Sequence, residues 1–266
     1  MTPIQIHSLY SGSTGNAFLI RSESGAVLID AGKNCKKLCE ALAACNTSPE
    51  EIKAIFITHE HTDHIGALAV FLKKYPVPVH ILEKSAYALR NLPSVAPCLC
   101  LHKPLFEETV GEITLTSFPT PHDSAASVGY RIEICLKNGQ TVRIGYATDI
   151  GYVSAAVEEA LTGCDAVILE SNHDLDMLHT GPYPYSLKQR IASRYGHLSN
   201  PDSAALAARL CRTGTKSLML AHLSEENNTP DTAFCVCRDA LREFENVRLC
   251  VARPNCITEL CMEDIV

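Results

Sequence analysis

No stretch of this chain stays apolar for anything near the roughly 20 residues that a helix needs to cross a bilayer. The opening residues, Met1-Thr2-Pro3-Ile4-Gln5-Ile6-His7, lack a basic segment followed by an apolar core. No signal peptide is therefore expected, and the cytoplasm is the expected compartment. Basic residues are the minority charge: 23 Lys and Arg against 30 Asp and Glu leave a formal net charge of -7. That argues against a protein that coats nucleic acid through a general positive surface, while leaving room for a local basic patch or bound cations that engage phosphates. No Pro/Ser-rich linker, internal repeat or low-complexity tract divides the 266 residues. Residues 1–266 are expected to form one domain, long enough to bury a substantial core.

Cysteine, by contrast, is plentiful. Thirteen residues, an odd number, are scattered through apolar segments, as at Cys39, Cys45, Cys135, Cys164, Cys211 and Cys250. Cys98-x-Cys100 and Cys235-x-Cys237 lack zinc-knuckle spacing, and neither has a second pair to complete it. Reduced, buried thiols in a cytosolic protein are the expectation.

Short apolar runs alternate with helical patterns. Strands are expected over 4–9, 17–21, 26–32, 52–57 and 76–82. Helices are expected after an Asn34 N-cap to about residue 44, over 65–75 and over 84–92. Residues 115–118, 128–136 and 142–147 read as successive antiparallel strands, the last two joined by the turn Lys137-Asn138-Gly139-Gln140. Beyond them, helices over 154–161, 187–195, 202–211 and 232–244 alternate with strands over 166–169, 217–221 and 247–252. Two sheets flanked by helices fit this order.

The densest chemistry lies in Thr58-His59-Glu60-His61-Thr62-Asp63-His64, between a β-branched run and a helical one. This places it on a loop at the carboxyl end of a strand, the edge where open α/β sheets bind ligands. Neutral imidazoles and carboxylates are the donors that borderline divalent cations prefer. His59 and His61, two apart in an extended segment, project to one side. Asp63 and His64 follow at the turn into the helix and are placed to serve a second ion. An earlier turn, Ser11-Gly12-Ser13-Thr14-Gly15-Asn16, either presents amides to an anion or is a tight hairpin loop.

The pattern His59-x-His61-x-Asp63-His64, preceded by Leu28-Ile29-Asp30-Ala31-Gly32, resembles the signature of the metallo-β-lactamase-fold hydrolases. The resemblance implies an α/β fold, a four-layer αββα sandwich of two similar halves with a two-metal site along one edge. It also implies a later histidine, aspartate and histidine, which Thr120-Pro121-His122-Asp123, Thr148-Asp149 and Ala221-His222 supply in order. On this resemblance His59, His61 and His122 would hold one ion, Asp63, His64 and His222 the other, and Asp149 would bridge. Two divalent ions, Zn²⁺, Mn²⁺ or Fe²⁺, are the implied cofactors.

Across nearly its whole length the chain resembles the YycJ/WalJ-like subgroup, related to the tRNase Z-like nucleases. The shared features include the 11–16 turn, Glu170-Ser171-Asn172-His173 and His222-Leu223-Ser224-Glu225-Glu226-Asn227-Asn228. Glu170 and the Gly196-His197-Leu198-Ser199 element resemble the glutamate and histidine of those nucleases. They imply that Glu170 orients His197 and that His197 assists the leaving oxygen; a purely structural hydrogen-bonded pair is the alternative. Asp63, Glu170 and His197 are the expected catalytic residues, and Ser13, Asn16, Asn172, His173 and Ser199 the candidates for substrate contact. The implied function is a dinuclear metal-dependent phosphodiesterase, a 5′–3′ exodeoxyribonuclease acting on DNA, in repair. The alternatives are a small-molecule or cyclic phosphodiesterase and a non-catalytic metal-binding regulator. The larger nucleases of the fold carry an inserted clamp domain, and no such insertion is visible here. Lys188, Arg190 and Arg194, or Lys33, Lys36 and Lys37, would serve backbone phosphates, unless they are simply exposed helix faces.

Overall fold

The apolar runs are continuous rather than alternating because each sheet is covered on both faces. In the computed structural model, which describes residues 4–262 and residue 265, the first part of the chain supplies six strands. They are β1 (Gln5–Tyr10), β2 (Ala17–Ser22), β3 (Gly25–Ile29), β4 (Ile52–Phe56), β5 (Val79–Leu82) and β6 (Leu99–His102). The second part supplies β7 (Glu107–Val110), β8 (Ile113–Pro119), β9 (Val128–Cys135), β10 (Thr141–Ala147), β11 (Ala166–Glu170), β12 (Ser217–Ala221) and β13 (Arg248–Val251). A short β14 (Thr258–Glu259) returns to the first sheet. The sheet orders are β14-β1-β2-β3-β4-β5-β6 and β13-β12-β11-β10-β9-β8-β7. Each sheet is antiparallel at one end and parallel at the other, the change falling at β3 in the first and at β10 in the second.

Helices close the outer faces. They are α1 (Cys35–Ala44), α2 (Thr62–Ile65), α3 (Leu68–Lys74), α4 (Ala155–Leu161), α5 (Leu175–Thr180), α6 (Tyr185–Ile191), α7 (Asn200–Arg212) and α8 (Pro230–Ala240). Alternate residues of each central strand serve different layers. Val27, Ile29, Ile168 and Met219 face the core between the sheets, which also contains Phe56, Tyr130 and Tyr146. Leu28 packs outward with Leu38, Leu42 and Phe71 of α1 and α3. Val167, Leu169, Leu218 and Leu220 pack outward with Val157 of α4, Leu206 and Leu210 of α7 and Cys237 of α8. This is the expected αββα sandwich.

Most expected elements appear within a few residues of their predicted ends, including α1 with Asn34 as its cap, whose side chain accepts from the Lys37 amide. Three differ. The helix expected over 65–75 divides into α2 and α3: Gly66 and Ala67 keep helical dihedrals, but the Ala67 amide donates to the Ala31 carbonyl at 2.8 Å, and the Asp63 and His64 carbonyls accept from the Asn16 and Ala31 amides at 2.7 Å instead of from the next helical turn. Residues 84–92 make only a 3-10 turn over Ser85–Ala88, ahead of Pro93. The edge strands β6, β7 and β14, and α5, were not anticipated; β7 is too polar and half-exposed to carry a core pattern.

The loop that follows β4 is tied to the opposite sheet. The Tyr130 hydroxyl donates to the Ile57 carbonyl at 2.7 Å, and the Val128 amide to the Thr58 carbonyl at 3.1 Å. Tyr130 is fully buried, so Tyr130→Phe leaves the Ile57 carbonyl without that donor. Such a loss should lower unfolding stability by about 1–3 kcal/mol in urea denaturation with the m-value unchanged.

Candidate metal centre

The carboxyl ends of β3, β4, β8, β10, β11 and β12 meet along one edge of the sandwich. Asp30 follows β3, the 58–64 loop follows β4, His122 follows β8, Asp149 follows β10, Glu170 ends β11 and His222 follows β12. Asp30, Asp149 and His222 have φ values of 62°, 57° and 56°, three of the six non-glycine residues with left-handed backbone among those described. Backbone of this kind is sparsely populated and persists where its surroundings over-determine it. Gly32 is required by close approach: a Cβ there would lie 2.0 Å from the Asp63 carbonyl oxygen and 2.4 Å from the Asn16 nitrogen.

Two clusters of donors result. His59, His61 and His122 bring one nitrogen each within 4.8 Å of one another, and Asp63, His64 and His222 form a second such group. Asp149 lies between them. Its Oδ1 is 3.6 Å from Nε2 of both His122 and His222, and its Oδ2 is 3.4 Å from Nε2 of His64. Asp63 Oδ2 stands 3.2 Å from His64 Nε2 and 3.7 Å from His222 Nε2.

Four of the histidines are held by their other nitrogen. Nδ1 of His64 pairs with Asp30 at 2.7 Å, Nδ1 of His122 with the Gly196 carbonyl at 3.1 Å, and Nδ1 of His222 with Glu170 at 3.1 Å. Nδ1 of His59 meets the Thr58 hydroxyl at 3.0 Å, and that hydroxyl in turn bonds Asp30. Every one of these contacts leaves Nε2 as the nitrogen turned to the shared centre. Nε2 of His59, His122 and His222 and Oδ2 of Asp149 are buried with no hydrogen-bond partner. Buried polar atoms are almost always satisfied, so orphans converging from several elements fit a donor set built for cations. The mixture of imidazole and carboxylate suits Zn²⁺, Mn²⁺ or Fe²⁺.

The electrostatics agree with that fit. Burial keeps His59 well below the usual histidine range and lowers His122, so both are neutral donors at pH 7. Burial would raise Asp149, but the surrounding His222, His64 and His122 hold it well below the usual carboxylate range. Asp63 is also held low against burial, by His222 and His64. Burial would likewise depress His64 and His222. Asp30 and Asp149 instead push His64 well above its usual value, and Asp149, Asp63 and Glu170 push His222 up to about 10.

Glu170 is the second hub. Its Oε1 meets Nδ1 of His197 at 2.8 Å and Nδ1 of His222 at 3.1 Å, and its Oε2 accepts from the Ile150 amide at 2.7 Å and the Leu198 amide at 3.2 Å. Burial favours its neutral form, yet His197 and His222 bring it down to about 2. One carboxylate therefore orients both His197 and a residue of the donor cluster.

A cavity of 260 Å³ opens over the cluster, lined by His61, Asp63, His122, Asp149, His197 and His222 together with Ser13, Asn172, Tyr183 and Arg190. A larger cavity, 620 Å³, sits by the β9–β10 turn near Glu23 and Lys137, at the opposite ends of the strands, and contains none of these groups. Ser13 and Asn172 thus face the site, although the Asn172 amide is engaged by the His222 carbonyl at 2.8 Å. Asn16, His173 and Ser199 are buried and do not line the cavity. The Asn16 amide donates to Asp63 Oδ2 at 3.0 Å, and Ser199 caps α7. The Asp30 carboxylate, given no role in the sequence beyond its place in the strand that precedes the histidine motif, accepts from the Thr58 amide at 2.8 Å and pairs with His64. A buried carboxylate that supports a donor histidine without joining the donor set has no spacing signal of its own.

Residues 26–223 match the model of the β-lactamase superfamily domain. The chain belongs to the metallo-β-lactamase superfamily. It is 38% identical over 229 residues to the exodeoxyribonuclease WalJ of Streptococcus pneumoniae, an alignment covering 85% of this chain and 83% of that one. With the exodeoxyribonuclease YycJ of Bacillus anthracis it shares 35% identity over 229 residues, 85% and 84% of the two chains. In fold it matches the metallo-β-lactamase fold protein YhfI from Bacillus subtilis with a TM-score of 0.72 at 17% identity, covering 97% of this chain and 99% of that one. Among the described residues no helix is long and apolar enough to cross a membrane.

Two outcomes follow from the site. Asp30→Asn keeps an acceptor for Thr58 and a residue type tolerant of left-handed backbone, but removes the charge facing His64. It should weaken Zn²⁺ or Mn²⁺ binding by about 10- to 100-fold in a metal titration. Because the ions displace protons from His64 and His222, binding at pH 7 should release protons and weaken as pH falls. Calorimetry in buffers of different ionisation enthalpy would measure this, and a heat independent of buffer would show both histidines already neutral.

Proposed function

We propose that this chain is a dinuclear metal-dependent phosphodiesterase and, within that class, a 5′–3′ exodeoxyribonuclease. The Glu170–His197 pair beside the donor cluster carries the reading: a metal site alone serves many hydrolyses, whereas an oriented histidine opposite it serves departure of an alkoxide. The names of the two relatives, both exodeoxyribonucleases, point the same way.

His59, His61 and His122 would hold one ion and Asp63, His64 and His222 the other, with Asp149 shared. Bound there, divalent ions supply activation of water and neutralisation of charge on the phosphoryl oxygens. The remaining work belongs to the chain. Asp63 reaches the cavity floor as an ionised carboxylate and is placed to take a proton from the attacking water. His197, its Nδ1 engaged by Glu170, presents Nε2 to the cavity, where a proton on that atom would pass to the leaving oxygen. Ser13 and Asn172 line the wall and would contact the strand. The thirteen cysteines are all unpaired thiols, which supports a reducing, cytoplasmic setting.

Purified protein loaded with Mn²⁺ or Zn²⁺ should shorten 5′-phosphorylated DNA from its 5′ end. His61→Ala should abolish cleavage through loss of metal. His197→Ala should keep its metal and lose about 10²- to 10⁴-fold in kcat. Full activity in His61→Ala would sink the assigned site. Turnover of bis(p-nitrophenyl) phosphate with no cleavage of any polynucleotide would move the substrate to a small phosphodiester.

A further inference from the structure

Six of the eleven histidines gather at the metal centre, and two of the other five, His80 and His102, meet each other elsewhere. Val79 and Ile81 of β5 pack outward, whereas Leu82 joins the core between the sheets. His80 shares that inward face with Leu82, at a position where an apolar side chain is the ordinary choice. It is buried and stacks on Phe56 of the core, with ring centroids 4.6 Å apart. His102 ends the neighbouring strand β6, and Glu108 lies on β7 of the other sheet. Strands β6 and β7 are the outermost of their sheets, so the three residues lie at the seam where the sandwich opens.

Nδ1 of His80 stands 3.0 Å from Nε2 of His102, and Nδ1 of His102 stands 3.9 Å from Glu108 Oε1. One donor atom from each of the three residues lies within 4.8 Å of the other two. Their frame is fixed. Phe106 stacks on His102 with 4.0 Å between ring centroids; its amide donates to the Ser117 hydroxyl at 3.0 Å, and its carbonyl accepts from the Ser117 amide at 2.9 Å. The Glu83 amide donates to the His102 carbonyl at 2.8 Å, and the Ile57 amide to the His80 carbonyl at 2.9 Å. Burial lowers both histidines from their usual range against the opposing pull of Glu108, so both are neutral donors at pH 7.

A proton shared between the rings uses one nitrogen of each and gives Glu108 nothing to do. Among the described residues that carboxylate has no Lys or Arg within ion-pair distance, and His102 is its one charged-type neighbour. A divalent cation engages all three. Two nitrogens at about 2.0–2.1 Å from one Zn²⁺ ion stand roughly 3 Å apart, close to the separation of the two rings here. Neutral imidazoles with a carboxylate are the donor mixture that Zn²⁺ takes, water filling the remaining position. We propose that His80, His102 and Glu108 form a further metal site, holding one Zn²⁺ ion that clasps β5 and β6 of one sheet to β7 of the other. The site shares no residue with the donor clusters around Asp149 and none with the cavity above them, so it stands apart from the phosphodiesterase reading.

Metal counting tests it. Purified protein is saturated with Zn²⁺, desalted and analysed for zinc per chain by plasma mass spectrometry. The parent should carry one zinc more than His102→Gln and one more than Glu108→Ala, the latter an exchange at a half-exposed position of an edge strand. His61→Ala should lose zinc from the main centre and keep this ion, so adding His102→Gln in that background should remove one further equivalent. Far-UV circular dichroism establishes that each variant is folded, and Glu108→Ala decides the matter if His102→Gln is not. Crystals of the parent grown with Zn²⁺ should show an anomalous zinc peak about 2.0–2.1 Å from one nitrogen of each histidine. Unchanged zinc content in either folded variant would overturn the proposal, as would zinc at the main centre with no peak beside His80 and His102. Zinc that leaves this site on desalting is an adventitious ion only, and equally removes it. Absence of DNA cleavage by the parent would remove the nuclease reading and leave this count unaltered, so the two ideas fail separately.

Discussion

The structure depends on burying ionisable groups where they cannot satisfy one another. Asp30, Asp149 and Glu170 are almost wholly inaccessible, as are His59, His64 and His222, yet several of their atoms have no partner within the chain. An isolated buried charge is expensive, and pairing recovers that cost only with good geometry. Here the geometry is good on one side of each ring and left open on the other. Nδ1 nitrogens are anchored by Asp30, Thr58, Glu170 and the Gly196 carbonyl, while Nε2 nitrogens converge. Divalent cations would complete such an arrangement.

That requirement explains features that stability alone would not select. Left-handed backbone at Asp30, Asp149 and His222 turns three strands at the same edge, and each carries a side chain of the centre or its support. The Tyr130 hydroxyl and the Val128 amide bind the histidine loop of one sheet to a strand of the other, so the two halves of the sandwich share control of the site. Glu170 extends the same logic toward chemistry. By holding His197 and His222 with one oxygen, it couples the position of the proposed proton donor to that of a proposed ligand. The α6 segment is tied to the same centre, through Arg190, Asp123 and His122.

Much of this was legible in the chain. Continuous apolar runs marked strands covered on both faces, and the Thr58–His64 stretch marked the donor loop, because metal ligands close in sequence have a spacing. His122, Asp149 and His222 carried little signal singly and were picked out because the family resemblance implies them in that order at strand ends. Other features resisted reading. The half-exposed strand β7 has no apolar period to detect. Asn16 and Ser199 were candidates for substrate contact because polar residues near a site look alike in sequence, whereas the fold turns Asn16 onto Asp63 and uses Ser199 as a helix cap.

By itself, then, the sequence determined the alternation of strands and helices, the donor types and the approximate location of the centre, since hydrophobic periodicity and ligand chemistry are local properties; the four-layer sandwich followed from the family resemblance. Only the tertiary structure decided which nitrogen of each histidine faces inward, that Asp30 and Glu170 anchor the cluster, and that the segment around Arg190 lines the cavity. Those facts depend on distances between residues as far apart as Asp30 and His64, Asp123 and Arg190, or Glu170 and His222, which are set when the two sheets pack and appear in no local pattern.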